Sequence, residues 1–102
     1  MEMQEDRLIM AEGRKCPLKF LAEMAESENP MMRMSAALNP HTDKTMLEKL
    51  CSDENPDVRY ITASSTYLPV HLLWKLKNDE NPHVRWRAEV TLVKLGIIRQ
   101  VC

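Results

Sequence analysis

Three arginines, Arg33, Arg59 and Arg85, recur at intervals of 26 residues. Each stands four residues after the Asn of an Asn-Pro pair: Asn29-Pro30, Asn55-Pro56 and Asn81-Pro82. A guanidinium presents a planar fork of N–H donors that matches a carboxylate or a phosphate. A regular row of them could therefore bind an anion. The plainer chemistry is structural, since each Arg can reach the Asp before its own turn or the one before the neighbouring turn. Asp53 with Arg59 and Asp79 with Arg85 fit such charge-assisted hydrogen bonds. The first turn has Ser27 in place of Asp, so Arg33 is the weakest rung and the one expected to be free.

A second row, Met34, Tyr60 and Trp86, keeps the same 26-residue interval. It lies two residues beyond Met32, Val58 and Val84, hence about 200° around a helix of 3.6 residues per turn. That direction leads away from the core of each unit. The row serves either as packing against an adjacent unit or as a surface where large side chains anchor a partner. Trp74, on a different segment, is expected at a half-buried core edge. Charge is uneven along the chain. Residues 1 to 28 carry seven acids against four bases, and residues 69 to 102 carry six bases against three acids. Lys75, Lys77, Arg85, Arg87, Lys94 and Arg99 around Trp86 are suited to holding phosphate and stacking a base. The same polarity also suits an acidic protein or head-to-tail association.

Catalytic groups do not converge. His41, His71 and His83 lack metal-type neighbours, and neither H-E-x-x-H nor C-x-x-C spacing occurs. Ser64-Ser65-Thr66 has no glycine-framed elbow and reads as a turn. The only glycines, Gly13 and Gly96, cannot build a phosphate loop. Cys16, Cys51 and Cys102 are far apart, and three thiols cannot all pair within one chain. The N-terminus Met1-Glu2-Met3-Gln4-Glu5-Asp6 lacks the basic region of a secretory signal. Reduced thiols and a cytoplasmic location are expected. No apolar run approaches the roughly 20 residues of a membrane span.

The elements that position these rows follow from the repeat itself. Glu-Asn-Pro occurs at residues 28, 54 and 80, and Leu21, Leu47 and Leu73 keep the same interval. Proline disfavours helical geometry in the residue before it, while its own fixed φ suits a first helical position. The Asn side chain can accept from the free amides of that first turn. Helices are therefore expected to begin at Pro30, Pro56 and Pro82. Met32 with Ala36, Val58 with Thr62, and Val84 with Ala88 turn inward together. A second helix precedes each corner, with apolar faces Leu18/Leu21/Met24, Met46/Leu47/Leu50 and Leu72/Leu73/Leu76. Pro17 and Pro69 open the first and third of these, and Thr42 or Asp43 caps the second. Residues 1 to 13 read as a further N-terminal helix. The last helix is expected to run to Leu95 and stop at Gly96. The apolar tail beyond it, Ile97-Ile98-Arg99-Gln100-Val101, either folds back on the final helix or forms a homo-oligomer surface.

Two glycines and 5% aromatic residues in 102 argue against a barrel or sandwich, and no period-2 alternation persists. With 44% hydrophobic and 28% charged residues, the chain suits one folded domain. Its net charge of −1 argues against a general polycation on nucleic acid. Paired short helices cannot bury their apolar stripes alone, so the units are expected to stack. The expected fold is an all-α superhelix, or solenoid, over residues 1–102. An N-terminal cap (1–16) precedes repeats at 17–42, 43–68 and 69–94, and a tail (95–102) follows them.

The unit resembles that of the leucine-rich repeat variant family, a relative of HEAT-like helical repeats. Its pattern is V-R-x-x-V-A-x-N-P-x-T-P, then L-x-x-L and an acidic residue. Arg33, Ala37, Asn39, Pro40, Thr42, Leu47, Leu50 and Asp53 match it, as do Val58, Arg59, Ala63, Pro69, Leu73, Leu76 and Asp79. Ser65-Thr66 replaces the Asn-Pro of the second unit, and agreement fades at Trp86-Arg87-Ala88-Glu89. The resemblance covers residues 17 to 92. It implies a right-handed superhelix of short paired helices. The best-known member carries an iron–sulfur cluster on an N-terminal cysteine cluster; here only Cys16 precedes the first repeat, so no cofactor is expected.

Together these features lead to the expectation of a non-catalytic scaffold that binds a protein partner through a preorganised surface, with Met34, Tyr60, Trp86 and Arg87 as contacts. The alternative is a nucleic-acid-binding module using the basic C-terminal end.

Overall fold

The computed structural model describes residues 18–100. These residues form six helices and no strand: α1 (Leu18–Ala25), α2 (Pro30–Leu38), α3 (Lys44–Cys51), α4 (Pro56–Ala63), α5 (Val70–Lys77) and α6 (Pro82–Lys94). The N-terminal segment expected to cap the fold, together with Cys16, Pro17, Val101 and Cys102, lies outside the described residues.

The three Asn-Pro corners start helices by the same local mechanism. Asn29, Asn55 and Asn81 hold extended backbone at φ −84, −87 and −90°, and the following proline is the first helical residue. Each Asn Oδ1 accepts from an amide of the first turn: Met31 N at 2.9 Å, Asp57 N at 2.7 Å and His83 N at 2.8 Å. Orphan donors at the helix starts are thereby satisfied. For α3 the cap is Asp43, whose Oδ1 accepts from Met46 N at 2.9 Å. Thr42 has a different role: it is buried, and its hydroxyl donates to the Ala36 carbonyl. Pro69 stands one residue ahead of α5, whose start has no side-chain cap.

The helices pack as pairs, α1 on α2, α3 on α4 and α5 on α6; α4 also packs between α2 and α6, which do not touch each other. Leu21, Leu50, Leu73, Leu76 and Leu92 are buried, as are Val58 and Val84. Each such side chain contributes about 2 kcal/mol by leaving water. Ala36, Ala37, Ala63 and Ala88 are equally buried, and these small residues let α2, α4 and α6 approach closely. Buried hydroxyls have partners, as low-dielectric surroundings require. Thr62 donates to Val58 O at 2.7 Å, and Thr91 ties α6 to α4 by donating to Ala63 O at 2.6 Å.

Helix α6 ends as its glycine dictates. Gly96 has φ +76°, its amide donates to Val93 O, and Ile97 N donates to Leu92 O, both at 2.9 Å. This paired closure is the Schellman arrangement. It turns the chain so that Ile98 packs half-buried against the core, while Ile97 stays exposed and Val101 lies outside the described residues.

Candidate interaction surface

Each repeated arginine divides its donors between two corners. One nitrogen, Nη1, turns back to a carbonyl of its own corner: Arg33 to Ser27 O at 2.7 Å, Arg59 to Asp53 O at 2.6 Å, and Arg85 to Asp79 O at 2.8 Å. The remaining fork points forward. Arg33 Nε and Nη2 hold the Asp53 carboxylate at 2.7 and 3.2 Å; Arg59 holds Asp79 at 2.8 and 3.2 Å. These bidentate pairs are mostly shielded from water, with side-chain exposures of 15% and 9% in the first and 10% and 10% in the second.

The expected assignment of Asp53 to Arg59 and Asp79 to Arg85 is therefore corrected. Each aspartate pairs with the arginine 20 residues before it, because its main-chain carbonyl takes the arginine six residues after it, while its Oδ1 also accepts from the amide of its own corner's Asn. Asn55 N reaches Asp53 at 2.9 Å and Asn81 N reaches Asp79 at 2.8 Å. Ser27 supplies this second role without a charge, its Oγ accepting from Asn29 N at 3.0 Å. Arg33 consequently is not the free rung. Among the described residues no carboxylate meets Arg85, which is exposed and makes only carbonyl contacts, the second to Glu80 O at 3.1 Å. A lesser cross-corner series accompanies the rungs on the other helices: Lys49 Nζ to Glu26 and Lys75 Nζ to Ser52 Oγ, each at 2.6 Å.

The four candidate contact residues have different surroundings. Met34 and Tyr60 are half-buried and pack against the core. Tyr60 also lines a shallow groove of about 340 Å³ between the starts of α4 and α6, with Pro56, Asp57, Asn81, His83 and Val84. Trp86 is 49% exposed. Arg87 is half-buried, and its Nε has no hydrogen-bond partner among the described residues. The row is thus half-buried where another helix packs alongside and more exposed at α6.

Trp74, expected at a core edge, is exposed on α5, with Lys77 Nζ 5.8 Å from its ring centroid. Lys77 also lies 3.6 Å from Glu89, so its charge is partly occupied. Arg85, Lys94 and Arg99 remain exposed cations of the basic end. Cys51 is a buried free thiol, and burial pushes its pKa up to about 12, far from the thiolate that nucleophilic chemistry needs. Among the described residues, no three His, Cys, Asp or Glu side chains gather to hold a metal ion, and no helix is long and apolar enough to cross a membrane.

Of the two reaches open to each arginine from the sequence, the one to the neighbouring corner is taken, and the openness of Arg85 is what the sequence reading missed. The signal was present as the constant offset from Arg33 to Asp53 and from Arg59 to Asp79. No family model, curated protein or solved structure matches the chain.

Proposed function

We propose that the chain is a non-catalytic helical-repeat scaffold of the leucine-rich repeat variant type, which binds a protein partner in the cytoplasm. In this reading residues 17–42, 43–68 and 69–94 are three stacked units of a short solenoid. The helix starts at Pro30, Pro56 and Pro82 and the rungs Arg33–Asp53 and Arg59–Asp79 support it. Ion pairs with both partners shielded hold successive corners in one orientation, so a surface built on them loses little freedom on binding.

The single observation that carries the binding role is Trp86, half exposed on the longest described helix where Met34 and Tyr60, its equivalents, are half-buried against the core. A large indole half exposed to water on a packed helix is suited to anchoring a partner. Capture from a cell lysate by the immobilised chain, beside a Trp86→Ala chain with unchanged circular dichroism, tests this. The reading requires a protein retained by the first and lost by the second; identical capture overturns it. A retained nucleic acid that elutes steeply between 50 and 200 mM salt, by about 10³-fold for several phosphate contacts, would instead favour the basic end acting on phosphates.

A further inference from the structure

We infer that the end face carrying Arg85 and Trp86 is a docking site for an aspartate-bearing helix corner of a partner protein, an Asp-x-Asn-Pro turn held as Asp53 and Asp79 are held within this chain. The inference rests on the scaffold reading and names the chemistry of its partner. Arg33 and Arg59 each anchor Nη1 on their own corner and give Nε and Nη2 to an aspartate two residues ahead of a helix-capping Asn. Arg85 keeps the same anchor, on Asp79 O at 2.8 Å and Glu80 O at 3.1 Å. Its Nε and Nη2 have no acceptor among the described residues. The fork is therefore pre-aimed, and a planar carboxylate is the group that fits it bidentately.

Trp86 gives the second half of the argument. It follows Arg85 as Tyr60 follows Arg59 and Met34 follows Arg33. Where the rung is filled, that neighbour packs against the core; where the rung is open, it is 49% exposed. A corner seated on Arg85 would cover Trp86 in the same step. A second copy of this chain is the poorer occupant, because its first described corner carries Ser27 where the carboxylate is required, and that hydroxyl already accepts from Asn29 N.

The test uses the full chain, nitrogen-labelled, and a synthetic peptide of residues 78–95 carrying Trp86→Phe, run both linear and lactam-stapled to fix its helix. The expected result is a shift of the Arg85 Nε–H resonance and, in a chain carrying Trp74→Phe, a blue shift of Trp86 emission. A peptide that also carries Asp79→Asn should bind at least about tenfold more weakly, and Arg85→Gln in the chain should erase that difference. Equal binding of the two peptides, or no Arg85 response to either form at millimolar concentration, overturns the inference. So does sedimentation that shows dimers abolished by Arg85→Gln, which would make a second copy the occupant. Failure here with Trp86-dependent capture intact removes only this partner chemistry; failure of the capture itself removes the scaffold reading.

Discussion

Arg59 and Asp79 are 20 residues apart in the chain and 2.8 Å apart in space, and they join the start of α4 to the corner that starts α6. Arg33 and Asp53 do the same one corner earlier, at 2.7 Å. Asp79 serves two masters in this arrangement. One oxygen pairs with Arg59 Nε, and the other accepts from Asn81 N while also meeting Arg59 Nη2. A single carboxylate thus couples the contact between helices to the backbone of a helix start.

From that coupling, Asp79→Ala should be strongly destabilising. It strands a shielded guanidinium and the Asn81 N–H donor together, a loss of about 3 kcal/mol for breaking one side of a buried pair. Arg85→Ala removes only exposed carbonyl contacts and should stay within about 0.5 kcal/mol. Urea unfolding of the two variants provides the comparison. Similar losses would mean that the rungs contribute no more than the exposed end.

The sequence made much of this fold legible because its strongest signals are local. Asn-Pro specifies a helix start through two adjacent residues, and all three starts fall at the expected prolines. Leu21, Leu47 and Leu73 mark buried faces for the same reason. The rungs were harder. Asp79 lies six residues from Arg85 and 20 from Arg59, and chain separation favours the nearer pairing. That pairing fails because the Asp79 carbonyl, rather than its carboxylate, takes Arg85. The helical wheel of Met34, Tyr60 and Trp86 likewise gives a direction around one helix. Which members of the row another helix covers is a tertiary fact, and so was the exposure of Trp74.

Cys51 should be inert toward thiol reagents until the chain unfolds. Burial raises its pKa to about 12, so the folded state keeps the proton. Stability from this group is complete below the unfolded thiol's pKa of about 8.5 and declines as pH rises toward the folded value. In a chain carrying Cys16→Ser and Cys102→Ser, labelling at pH 8 should follow the opening equilibrium and accelerate with urea. Labelling as fast as a free thiol would show that the site is open.

Glu26 gives the opposite sign. The hydrogen bond from Lys49, and then its charge, hold the Glu26 carboxyl below the ordinary value. Any stability from it is present above the unfolded pKa and is lost as pH falls through the folded one. Both side chains are exposed, so 1 M salt should weaken the effect. Carboxyl resonances followed through an acid titration should show Glu26 moving upward in pKa with Lys49→Ala. No movement would remove the contact from the solution structure.

Gly96 separates backbone strain from steric fit. At φ +76° an L side chain is disfavoured, yet a Cβ placed there meets nothing within 4 Å. Gly96→Ala should therefore cost about 1 kcal/mol through conformation alone, lowering the thermal midpoint by about 5 °C. Gly96→Asn should cost less, because Asn tolerates the left-handed region. The difference bears on the tail: the turn formed by Gly96 N to Val93 O and Ile97 N to Leu92 O is what brings Ile98 to the core. If Ala and Asn proved equally harmless, the turn would not be held in solution, and Ile98 would lose its route back to the last helix.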